Sequence, residues 1–126
     1  MRNLLAIIFL NVSHLICAQP DSVHFYSLSE LNGANPDTIY AISLHKEKLE
    51  SLPAELLNFR NIQYLDLGKN SLSNMDSLSL FTNLIYLNLE KNNLEYFPIA
   101  VCSMPMLKEL VLNRNDFDVI PACIGL

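Results

Sequence analysis

Two stretches decide the fold: IQYLDLGKNSLSNM from Ile62 and LIYLNLEKNNLEYFP from Leu84. Laid over each other they agree at Leu65 and Leu87, Leu67 and Leu89, Asn70 and Asn92, Leu72 and Leu94. The pattern continues both ways, into IYAISLHKEKLESLP from Ile39 and LKELVLNRNDFDVIP from Leu107, so the copies begin 23, 22 and 23 residues apart. In Ile42-Ser43-Leu44, Leu65-Asp66-Leu67, Leu87-Asn88-Leu89 and Leu110-Val111-Leu112, the large aliphatic residues recur at every second position, as in a strand with one buried face. Strands one repeat apart run the same way. They predict a parallel sheet at about 4.8 Å per rung, in which no repeat buries its apolar face alone.

Other positions have their own physical reading. Asn70, Asn92 and Asn115 follow the strands, where an amide with both a donor and an acceptor can satisfy backbone groups as the chain turns away. The first copy carries Glu47 there, and an ionised carboxylate has no donor, which predicts a wetter first rung. Leu52-Pro53, Phe97-Pro98 and Ile120-Pro121 begin the return of each copy, and Pro suits the first turn of a helix because its missing N–H would be unpaired there. Leu56, Val101 and Ile124 then point inward, followed after three residues by Phe59 or Met104 in the first and third copies. The second copy lacks the Pro and one residue, placed between Met75 and Leu78, and Phe81 joins Phe59 and Met104 in a predicted apolar ladder.

The pattern L-x-x-L-x-L-x-x-N-x-L, followed by x-x-[LIF]-P, resembles the leucine-rich-repeat family over residues 39–126. The resemblance implies an α/β solenoid, with a curved parallel β-sheet on the concave side and short helical turns on the convex side. Four repeats are expected, at 39–61, 62–83, 84–106 and 107–126. It also implies that the concave face is the binding surface.

Ahead of the repeats, residues 1–18 read as a secretory signal peptide: Arg2, an apolar run from Leu4 to Leu10, and Ala18 before Gln19-Pro20. The run is too short for a membrane span, which takes about 20 apolar residues. Lipid attachment at Cys17 is disfavoured by the bulky Ile16 before it. Residues 19–38 read as a helical N-terminal cap, with Ser27 and Glu30 as a capping box and Gly33 to Pro36 as its stop. No C-terminal cap is evident. The strand 107–112 is expected to be an open edge, covered by edge pairing with a partner or by continuation of the chain as part of a longer protein.

The chain of 126 residues has room for one domain, and its net charge of −5 argues against nucleic acid or an anionic membrane as partner. Localisation outside the cytoplasm follows from the leader: secreted, periplasmic or at the cell surface. Cys102 and Cys123 fall at positions staggered by two in adjacent repeats, which predicts two separate, partly buried thiols rather than a disulfide.

Across the four strands, outward rows are expected at Ala41, Tyr64, Tyr86 and Glu109; at Ser43, Asp66, Asn88 and Val111; at His45, Gly68, Glu90 and Asn113; and at Lys46, Lys69, Lys91 and Arg114. Tyr64 and Tyr86 read either as exposed interface anchors or as a cross-strand stack. Asp66, Asn88, Glu90 and Glu109, with the cations Lys69, Lys91 and Arg114, complete the expected contact set for a protein or peptide ligand. The cations must be neutralised by nearby carboxylates or an acidic partner, or else form a solvated rim. His45 reads as an ordinary surface histidine. No G-x-G-x-x-G, P-loop, H-E-x-x-H or G-x-S-x-G occurs, so the chain reads as a non-catalytic binder with no cofactor and no metal; the alternative is a structural or targeting repeat of a longer protein.

Overall fold

A computed structural model describes residues 7–9 and 23–124. Five strands form one sheet: β1 (Ile7–Phe9), β2 (Ala41–Ser43), β3 (Tyr64–Asp66), β4 (Tyr86–Asn88) and β5 (Glu109–Val111), in the order β1-β5-β4-β3-β2. Strands β2 to β5 are parallel, and their register aligns Ala41, Tyr64, Tyr86 and Glu109 in one row and Ser43, Asp66, Asn88 and Val111 in another. The rows expected from the repeat are the rows observed.

The other face of the sheet holds the core. Ile42, Leu65, Leu87 and Leu110 are fully buried, and Leu44, Leu67, Leu89 and Leu112 form a second stacked line beside them. Phe59, Phe81 and Met104 stack as the expected apolar ladder under the return segments.

The returns are short stretches of 3-10 helix, at Ala54–Asn58, Asp76–Leu80, Ile99–Ser103 and Ala122–Ile124. Among the described residues the expected short helical turns of the convex side are thus 3-10 turns. A short arc spans the width of the solenoid in one tight turn, and the 3-10 form rises further per residue than an α-helix. In the second repeat Asp76 follows Met75 directly, and the Met75 carbonyl accepts the Leu78 N–H just as Pro53 accepts from Leu56 and Pro98 from Val101. Met75 therefore stands at the Pro position, and the lost residue lies before it, between Leu72 and Met75, rather than between Met75 and Leu78 as expected.

The asparagines act between rungs. Asn92 Nδ2 donates to Leu89 O of its own rung at 3.1 Å and to Leu67 O of the preceding rung at 3.0 Å, while its Oδ1 accepts Leu72 N–H. Asn70 and Asn115 repeat the arrangement on Leu44, Leu49 and Leu67 and on Leu89, Leu94 and Leu112. Each amide stitches backward to the rung before it. The first of the four parallel rungs has no such rung behind it, so Glu47 has nothing to stitch and lies exposed.

Three expectations change at the ends. The N-terminal cap is not a regular helix but two 3-10 turns, Leu28–Glu30 and Pro36–Thr38. Tyr26 bridges to Ile42, extending the sheet by one residue beyond β2. Within the cap, Glu30 accepts both the Ser27 N–H at 2.7 Å and the Ser27 hydroxyl at 2.6 Å, and these bonds hold its carboxyl below the usual range. In the 126-residue chain the edge of β5 is covered by β1, from within the segment read as a signal peptide, lying antiparallel with Ile8 opposite Leu110. Apart from β1, the segment read as a signal peptide lies outside the described residues. Cys102 and Cys123 form a disulfide, with Cα atoms 5.7 Å apart, rather than two separate thiols. The offset of two positions is bridged because both cysteines lie in the return turns of adjacent repeats, Ile99–Ser103 and Ala122–Ile124.

Candidate functional site

The strands place their outward residues on the concave face at the spacing of the rungs. Asp66, at the end of β3, turns back so that its Oδ1 accepts the N–H of Gly68 at 2.9 Å. The same oxygen accepts from Asn88 Nδ2 at 3.0 Å and lies 3.3 Å from His45 Nδ1. Asn88 in turn accepts the N–H of Glu90 at 2.8 Å, and Asn113 Nδ2 donates to Glu90 Oε1 at 2.9 Å. The result is a polar ladder reaching from the first rung at His45 to the last at Asn113. A carboxylate that accepts several bonds is held in one rotamer, so these groups are fixed before any ligand arrives.

Gly68 makes the ladder possible. A Cβ there would lie 2.9 Å from Asn88 Nδ2, 3.0 Å from His45 Nδ1 and 3.1 Å from Asp66 Oδ1. Its φ is not in the left-handed region, so space rather than backbone conformation demands the glycine. Asn113 Oδ1 is buried without a partner among the described residues.

Of the two readings of Tyr64 and Tyr86, exposed anchors or a cross-strand stack, the burial goes against full exposure. Tyr86 is only 9% exposed and Tyr64 is half-buried. Phe25 from the N-terminal segment meets Tyr64 edge-on, with ring centroids 6.5 Å apart. Beside Tyr86 in the register stands Glu109, whose carboxyl is pushed up by partial burial. Asn88, at 8% exposed, is likewise a part of the scaffold of the face more than of its surface. Reasoning from sequence set His45 aside as a surface residue; its place in the same row as Gly68 and Glu90 was the signal that it belongs to the ladder.

Lys46, Lys69, Lys91 and Arg114 line one rim of this face. All four have positive φ, at 62°, 56°, 51° and 60°. No carboxylate among the described residues lies within ion-pairing distance of them; the ion pairs seen are His24 with Glu30 and His45 with Asp66. On the opposite flank, the shortened arc of the second repeat leaves an open groove of about 490 Å³ between Met75 and Phe97. Tyr96, 82% exposed, and Ile99 stand at its mouth. Among the described residues no group of three or more His, Cys, Asp or Glu is placed to hold a metal ion.

Parallel one-repeat strands, an inter-rung asparagine ladder and a short return arc define a leucine-rich-repeat solenoid. The chain is a leucine-rich-repeat protein. It is 33% identical over 76 residues to the volume-regulated anion channel subunit LRRC8A of Rattus norvegicus, a match covering 58% of this chain and 9% of that protein. It is 31% identical over 106 residues to the PH domain leucine-rich repeat-containing protein phosphatase 1 of Homo sapiens, covering 77% of this chain and 6% of that one. Among solved structures, internalin C2 of Listeria monocytogenes superposes with a TM-score of 0.60 at 24% identity, over 65% of this chain and 35% of that chain. The chain thus spans about a tenth of these curated relatives or less. No family model matches it.

Proposed function

We propose that the chain is a non-catalytic module that binds a protein or peptide on its concave face, acting outside the cytoplasm. The observation that carries this reading is the ladder from His45 through Asp66 and Asn88, continued by Glu90 and Asn113. It is a set of fixed polar groups on a parallel sheet, at a regular spacing that an extended polypeptide can follow. Action outside the cytoplasm is supported by the apolar leader pattern at residues 1–18 and by the Cys102–Cys123 disulfide, since such bonds persist in oxidising compartments. No helix among the described residues is long and apolar enough to cross a membrane.

A second reading is favoured by one observation: the relatives are far longer than the stretch they share with this chain. A structural or targeting repeat of a longer protein fits that disparity. A photo-crosslinking residue at Ser43, against a control at Ser79 on the convex side, separates the two. A discrete adduct from Ser43 alone supports the concave binder. Equal adducts from both positions, or none from Ser43, would sink it.

A further inference from the structure

Half of the eight Lys and Arg residues of the chain occupy one structural row: Lys46, Lys69, Lys91 and Arg114. The fold explains the backbone of this row. The N–H of Lys46 bonds Gly68 O, that of Lys69 bonds Glu90 O and that of Lys91 bonds Asn113 O, so the first three residues are each tied to the next rung, and the chain turns at all four with φ between 51° and 62°. What the fold asks for here is a residue at ease in the left-handed region, and Gly or Asn meets that demand best. Nothing in the fold asks for a cation. A long cationic side chain in all four rungs goes against the local conformational preference, and the backbone positions that carry the four like charges are about 4.8 Å apart per rung, which sets the charges against one another. No described carboxylate neutralises them by an ion pair. Unneutralised cations held in register at a backbone position suited to other residues are a surface shaped for something outside the chain.

We infer that this row docks an acidic polypeptide segment, running across the rungs with its carboxylates on Lys46, Lys69, Lys91 and Arg114. The inference rests on the concave-face reading above and names the chemistry of its partner. Carboxylates Asp66 and Glu90 border the row on the floor side, and Glu47 follows Lys46 at the next position of the first repeat. A nucleic acid is disfavoured by these acids and by the net charge of −5, and its backbone carries no amides. A peptide carries carboxylates interspersed with amides, and its neutral groups can bond to His45 and Asn113 in the adjoining row.

The test uses fluorescein-labelled octaglutamate as probe and anisotropy at low ionic strength, with the full chain and its K69N/K91N/R114N variant. Octaglutamate is expected to bind the native chain, more weakly as salt is added. The variant should lose roughly tenfold in affinity while its thermal midpoint rises, because Asn relieves the left-handed positions. A loss of affinity with a higher midpoint cannot come from misfolding. Undiminished binding by the variant, no binding by the native chain at low salt, or tighter binding of oligothymidylate than of octaglutamate would each overturn the inference. If octaglutamate fails while the Ser43 crosslink persists, the row has no acidic partner and the concave binder still stands; if the crosslink also fails, the binding face itself is wrong.

Discussion

At the scale of single residues, the asparagine ladder is the most exposed to test. Asn92 is 5% exposed and its amide serves four backbone groups on two rungs. Asn92→Ala leaves the Leu72 N–H without its acceptor and strips one donor each from Leu67 O and Leu89 O, which keep Asn70 and Asn115 respectively. A buried group left unpaired costs about 1–3 kcal/mol, so chemical denaturation of this variant should show a loss of about 3 kcal/mol. Glu109 gives a pH-dependent counterpart. Burial raises its carboxyl above the ordinary value of 4.5, so the folded chain holds that proton more tightly than the unfolded one. The ionised form therefore subtracts from stability at and above the raised pKa, and the penalty fades as pH falls from there through 4.5. Glu109→Gln should raise the denaturation midpoint at neutral pH and match the native chain below the ordinary carboxylate range. A gain that persists unchanged in acid would show that the charge is not its source.

At the scale of elements, the last return arc is a single 3-10 turn, Ala122–Ile124, fastened to the arc before it by Cys102–Cys123. The loop closed by the bond has a sequence separation of 21, for which loop-closure entropy amounts to about 3 kcal/mol. The C102S/C123S variant should be less stable by about that amount in denaturant melts, and proteolysis should begin at the final turn. Equal stability with and without the bond would mean that Phe117 and Ile124 hold the arc by packing alone. The second repeat shows the converse case, in which Met75 takes over the backbone role of the missing Pro with no covalent help.

At the scale of the whole molecule, the core exists only between neighbours. Leu87 lies between Leu65 and Leu110 in the register and is fully buried. Leu87→Ala should cost about 3–4 kcal/mol, the usual range for a buried leucine in a tight site. Its effect should be felt in all four parallel rungs at once, because a stack this short has no repeat that is stable alone. Fluorescence of Tyr40 and Tyr96 labels, one early and one late in the stack, should report coincident unfolding transitions. Separated transitions would show that the rungs unfold independently.

The repeat, the strand positions, the alignment of concave rows and the apolar ladder of Phe59, Phe81 and Met104 were all legible in the sequence. A period of 22 to 23 residues leaves one way to bring equivalent leucines together, so the alternation within Leu65-Asp66-Leu67 fixes which side chains face in. The direction of the Asn92 bonds, the His45–Asp66 pairing made possible by Gly68, the depth of Tyr86, the disulfide and the pairing of β1 with β5 were decided only by the tertiary structure. Each depends on the distance between groups at least one repeat apart. Local pattern sets the direction in which a side chain leaves the backbone; how the arcs close and which rungs abut determines what it meets there.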